Sequence, residues 1–158
     1  MARLKSFSST DRPTLSAVPL RRATAVLALI GIGIAGYLTW VHYAGLDPVC
    51  VGGGGGCERV QSSRWAELGG IPVAVLGLAG YVAILASLAL PEELGGLVAA
   101  FLSLVGFGFS CWLTYVELAK IDAICQWCVA SAVIMTALAL VSVARVLRGA
   151  PPHAAPAA

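Results

Sequence analysis

The chain has 158 residues, of which 59% are hydrophobic and only 11% charged, and its net charge is +2. Soluble domains carry about a quarter charged residues, so the composition excludes an ordinary soluble globular protein. The small positive excess is no nucleic-acid signature; its Lys and Arg residues are markers of membrane orientation.

From the N-terminus, residues 1–20 mix Ser, Thr, Pro and scattered charge and predict a disordered tail. Four charge-free stretches follow. They are 24 residues between Arg22 and Asp47, 24 between Glu67 and Glu92, 23 between Glu93 and Glu117, and 22 between Asp122 and Arg145. A helix crosses the bilayer core in roughly 20 apolar residues. Only helices and closed barrels satisfy their backbone in lipid, and strand-like alternation is absent. The expected fold class is an all-α membrane protein, a four-transmembrane-helix bundle, with helices at about 22–43, 72–90, 95–117 and 122–146. A soluble four-helix bundle would need polar outer faces. The first stretch is longer than a signal-peptide core and no clear cleavage site follows it, so it reads as a retained helix. The helical domain takes 21–147. Residues 148–158, with Pro151, Pro152 and Pro156 among alanines, form a second disordered tail.

Tyr37, Trp40 and Tyr43 at the end of the first helix suit an aromatic belt. The loop at 44–70 is the only sizeable polar region. Gly52 to Gly56 predict irregular backbone. Ser62 as a cap, followed by Trp65 and Leu68, suggests a short interfacial helix. Gly69-Gly70 turns the chain, and Pro72 opens the second helix.

Orientation follows from Lys and Arg. Arg3, Lys5, Arg12, Arg21 and Arg22 precede the first helix, and Arg145 and Arg148 follow the fourth; Arg59, Arg64 and Lys120 lie in the opposite loops. Seven against three predicts cytoplasmic termini, with the loops at 44–70 and 117–122 outside. In a bacterial plasma membrane that side permits disulfides. All four paired cysteines fall there.

Cys125-Gln126-Trp127-Cys128 is a C-x-x-C at the mouth of the fourth helix. Such dithiols are redox centres or soft-metal sites. Residues three apart share a helix face, and a helix start stabilises a thiolate, although Asp122 opposes this. Cys50 and Cys57 bracket Val51 and five glycines. Two readings stay open for them. One is a static disulfide that staples the loop. The other is a mobile pair in which Cys57 reaches Cys125 while Cys50 meets a soluble partner, for which a glycine tether is suited. Cys111 reads as a packed free thiol. His42 is either a hydrogen-bond partner for a quinone or an interfacial histidine, and Tyr115 either a cofactor contact or a belt residue. Glu117 with Lys120 reads as an interfacial ion pair. Trp127 sets the local dielectric or anchors its helix.

The run Cys57-Glu58-Arg59-Val60-Gln61-Ser62-Ser63-Arg64-Trp65 resembles the loop signature of the vitamin K epoxide reductases and their bacterial homologues. Gly70-Ile71-Pro72-Val73-Ala74, Gly77 with Tyr81, and Leu113-Thr114-Tyr115-Val116-Glu117 leading to the C-x-x-C resemble the bacterial branch. The resemblance covers about 22–146. It implies a four-helix bundle around a quinone of the menaquinone, ubiquinone or vitamin K type, with no metal. It implies that Cys128 contacts the quinone, that Cys125 exchanges with Cys57, and that Cys50 meets a thioredoxin-like extracytoplasmic partner. Ser63 falls on the loop serine of the family. Cys128, Ser63, Trp65 and Tyr115 are thus the candidate quinone contacts. Many bacterial members carry a fused thioredoxin-like domain; the sequence ends at Ala158 without one, so a separate partner is expected. The tyrosine just beyond the C-x-x-C of the human member has no match at Ser131-Ala132, which favours quinone over epoxide.

The expected activity is a quinone-dependent thiol oxidoreductase that reoxidises the partner for disulfide formation. The DsbB-like quinone enzymes carry their cysteine pairs in the reverse order. A soft-metal membrane carrier would use the cysteine pairs as thiolate ligands, but both pairs lie outside with no cytoplasmic cysteine to receive metal. A non-catalytic assembly factor leaves the C-x-x-C unexplained.

Overall fold

The computed structural model describes residues 17–51 and 55–149. The expected tails over 1–16 and 150–158, and Gly52 to Gly54 of the glycine run, lie outside the described residues. Five α-helices follow in order: α1 (Ala17–Ala44), α2 (Gly56–Gln61), α3 (Val73–Ser87), α4 (Glu92–Val116) and α5 (Gln126–Gly149). A π-helical turn, Glu117–Ile121, extends α4. The expected all-α membrane bundle is what forms. α1 packs against α3 and α5, and α4 packs against the same two, which closes a four-helix ring.

Three helices are long and apolar enough to cross a membrane, and α3 is a shorter apolar helix. This differs from four full spans. The second charge-free stretch yields only 15 helical residues, or about 22 Å at 1.5 Å per residue. Its start is used by a two-stranded ribbon, Glu67–Leu68 against Ile71–Pro72. Gly69 and Gly70 join the strands with φ of 62° and 83°, the paired positive values of a tight hairpin turn that other residues adopt at a cost. That turn also explains why no interfacial helix forms over 62–68. Ser62 caps the end of α2 instead, and the Ser63 hydroxyl donates to the Val60 carbonyl at 2.7 Å. The short helix between the first two long ones is α2, and it begins inside the glycine run.

The helices carry their polar residues at little cost. The hydroxyls of Thr24, Thr39, Ser103, Thr114 and Thr136 each donate to the carbonyl four residues back, so these groups are satisfied within their own helix. Outward faces are apolar, with Leu29, Ile30, Phe101, Leu104, Val133 and Leu140 exposed. The core centres on Ala28, Ala35, Tyr81, Ile84, Met135 and Leu138. The Tyr81 ring lies directly on Gly31, where a Cβ would collide with it. At the end away from the cysteine pairs, the Arg145 guanidinium reaches Glu92 at 2.7 Å and ties α5 to the start of α4.

Candidate active site

The first helical residue of α5 is Gln126, so Cys125 precedes the helix rather than lying in it. Its carbonyl accepts the Val129 N–H at 3.0 Å. Both C-x-x-C thiols are free, with Cys125 fully buried and Cys128 half-buried. Cys50 and Cys57 form a disulfide, with their Cα atoms 6.1 Å apart. Cys57, 1% exposed, packs with Val60 and Cys125 in one cluster that Cys50, Trp127 and Cys128 adjoin. The four sulfurs therefore gather in one region.

The two residues inside the C-x-x-C hold the disulfide there. Trp127 Nε1 donates to the Val49 carbonyl at 2.9 Å, and Gln126 Nε2 donates to the same oxygen at 3.3 Å. Val51 N–H donates to Gln126 Oε1 at 3.1 Å. Val49 N–H donates to the Tyr37 hydroxyl at 3.0 Å, while the Tyr37 and Trp127 rings lie 4.9 Å apart. Trp127 thus pins the segment carrying Cys50. Cys50 borders a shallow outer hollow of about 500 Å³ with Val51, Arg59, Asp122 and Gln126.

Cys128 faces the other way, into a partly open cavity of about 390 Å³ between the helices. That volume suits a small organic ligand. The walls are mainly apolar, from α1, α3, α4 and α5, with Val60 and Gln61 of α2. Ser63 and Trp65 line it, as do Tyr81, Glu117 and Ser131. Trp65 sits edge-on to Trp112, with the Arg64 guanidinium 4.8 Å from its ring centre. The Tyr81 hydroxyl is 2.8 Å from Ser131 Oγ and donates to the Ser131 carbonyl at 3.0 Å.

Other expected residues lie elsewhere. Tyr115 is 57% exposed and does not line the cavity. His42 is 3.8 Å from Glu67 and edge-on to Tyr43, also outside the cavity wall. Cys111 is exposed on α4 rather than packed. Glu117 forms no ion pair with Lys120: it is 5% exposed, and its Oε2 accepts the Cys125 N–H at 3.1 Å. The Cys128 thiol is a near neighbour of the same carboxylate, and both line the cavity. The sequence reading missed Glu117, Tyr81 and Ser131 as cavity residues. Ser131 follows Cys128 by three, a same-face spacing that signals it; no equivalent local signal marks Glu117.

The Cys125 thiol is lowered from 9.0 to about 7, chiefly by a hydrogen bond from the Cys128 thiol; burial and the Glu117 charge oppose the shift. Below that pH Cys125 is mostly thiol, and above it mostly thiolate, the form that attacks sulfur. Oxidation of the pair should accelerate about tenfold per pH unit up to about 7 and level off above. Single-turnover oxidation of the reduced protein across pH 5.5–9.5 checks this. A rate still climbing through pH 9 would mean the thiol is not acidified.

Residues 22–143 match the Vitamin K epoxide reductase family. The chain belongs to the vitamin K epoxide reductase family. Members are membrane-bundle oxidoreductases that work with quinones and thiol partners. The match covers the four-helix ring, the loop with its disulfide and the C-x-x-C.

Proposed function

We propose that the protein is a quinone-reducing thiol oxidoreductase that reoxidises a thioredoxin-like partner for extracytoplasmic disulfide formation. The observation that carries this reading is the sulfur arrangement. Cys50 borders the surface hollow, Cys57 packs with Cys125, and Cys128 lines the cavity between the helices. Electrons enter when a partner thiolate attacks the Cys50–Cys57 disulfide at Cys50. The released Cys57 thiolate then attacks an oxidised Cys125–Cys128 pair at Cys125. The inner dithiol passes two electrons to a quinone beside Cys128. The apolar wall excludes water and holds the ring near the sulfur. Ser63 and Trp65 are quinone contacts in this reading, and Tyr115 is a belt residue. The excess of Lys and Arg at the far end supports cytoplasmic termini in a bacterial plasma membrane.

The test supplies purified protein in detergent micelles with a reduced thioredoxin-fold dithiol protein and a short-tailed quinone, and follows quinol formation. One quinol should appear per disulfide formed in the partner, well above the rate without enzyme. Partner oxidation without quinol, or no turnover, would reject the reading.

A further inference from the structure

Glu117 is a carboxylate in the wall of an apolar cavity, 5% exposed, and its only ordinary position would be in water. Burying a carboxylate is costly unless donors or a cation compensate it. No cation does so: the ion pairs among the described residues are His42–Glu67 and Arg145–Glu92. Its partners are instead the two residues of the redox pair, through the Cys125 backbone N–H at 3.1 Å and the Cys128 thiol. The backbone turns it there. At Val116 the α-helix gives way to the π turn Glu117–Ile121, which Asp122 ends at φ 52°. The Glu117 carbonyl receives the Ala123 N–H at 3.2 Å. Wider turns of this kind interrupt helices often at functional sites. Val116 and Glu117 face inward while Tyr115 and Leu118 face outward.

We propose that Glu117 is the proton carrier of quinone reduction, taking the proton of the Cys128 thiol and delivering it to the nearer quinone oxygen. This rests on the reading above. Reduction of a quinone by two thiols forms one S–S bond, between Cys125 and Cys128. The sulfurs lose two electrons and two protons, and the quinone gains both to become the quinol. One proton travels from Cys128 through Glu117 to the ring. The proton given up by Cys125 is balanced by one taken from solvent at the second oxygen. Oε2 holds the Cys125 N–H, and a carboxylate keeps further lone pairs for a proton in transit. Held by hydrogen-bond donors rather than a fixed cation, the group is free to gain and lose that proton.

Three proteins test this with a short-tailed quinone and a small dithiol as reductant: the parent, Glu117→Gln and Glu117→Asp. Glutamine keeps an acceptor for the Cys125 N–H but cannot carry the proton. Its kcat should fall about 100-fold or more, the range for loss of a general acid–base group, with KM for quinone within about threefold. Formate should restore at least about tenfold of the lost rate in Glu117→Gln and leave the parent unchanged, since a small acid replaces a missing carrier. Glu117→Asp should stay within about tenfold of the parent. A Glu117→Gln kcat within about threefold of the parent overturns the proposal. So does a loss that formate does not touch and that Glu117→Asp reproduces in full, which assigns Glu117 to packing. Reduction of the oxidised Cys125–Cys128 pair by the dithiol, read by mass spectrometry, should match the parent; its loss also points to packing and overturns the carrier role. A parent that fails to reduce quinone rejects the proposed function itself, and this inference with it.

Discussion

Cys128→Ala is expected to abolish quinone reduction, a fall of at least about 10³-fold, as when the central nucleophile of a cooperating set is removed. Cys128 is the one cysteine among the residues lining the cavity. Without it no thiol lines the cavity, and the thioether of Met135 there cannot form a disulfide, however intact the loop pair remains. The variant should also accumulate a species of diagnostic value. Its Cys125 thiolate can attack the loop disulfide at Cys57, forming a Cys57–Cys125 bond and releasing the Cys50 thiolate. With no Cys128 to attack the new bond, only back-attack by Cys50 undoes it, and alkylating the released Cys50 thiolate holds the bond in place. The Cys128 thiol is also the chief cause of the raised Cys125 acidity. Trapping should therefore need a higher pH than 7, nearer the ordinary thiol value. Non-reducing peptide mapping at pH 8.5 reads the bond, and quinol absorbance reads the activity. Retention of more than about 1% of the parent rate would move quinone contact away from Cys128. An absent Cys57–Cys125 bond, with activity lost, would show that the loop pair is a static staple.

The bundle was legible because its signal is one-dimensional. Charge-free stretches of 22 to 24 residues mark spans whatever packs against them. The cysteine pairs were legible for a similar reason, since their spacing is local. What escaped depends on contacts distant in sequence or on small changes of helical pitch. Helix α2 starts in a glycine run that has little helical propensity; it forms where Cys57 and Val60 meet Cys125 in one buried cluster. The 62–68 segment reads as amphipathic, yet the hairpin geometry of Gly69-Gly70 draws its end into a ribbon. Tyr115 and Glu117 exchange their expected places beside the π turn, where 3.6-residue periodicity no longer carries forward. The Trp127 indole holds the Val49 carbonyl, 78 residues away in sequence, a contact that no local spacing marks.

Gly56→Val should slow the passage of electrons between the two cysteine pairs about 100-fold, and reduction of quinone by the inner pair far less, since α2 contributes only Val60 and Gln61 to the cavity wall. Gly56 opens α2 against Ile124, the residue before the C-x-x-C. A Cβ there would stand 2.5 Å from the Ile124 carbonyl oxygen and 3.6 Å from its nitrogen. Both are backbone atoms. The next residue, Cys125, is held by its N–H to Glu117 and its carbonyl to Val129, so the wall has little freedom to retreat. Helix α2 must move instead, and Cys57 is the residue after Gly56. A displacement of about 1 Å in a reacting group can cost about 100-fold. Fully reduced protein carries four electrons in its two pairs, enough for two quinols. The parent should form the first quinol from Cys125–Cys128 and the second after the loop pair has refilled it. In Gly56→Val the first phase should stay within about threefold of the parent and the second should slow about 100-fold. Alanine, with the Cβ alone, should fall between. Two unchanged phases would mean that exchange does not need this docking. A first phase that falls with the second would tie α2 to the quinone cavity instead, and the separation of relay from reduction would fail.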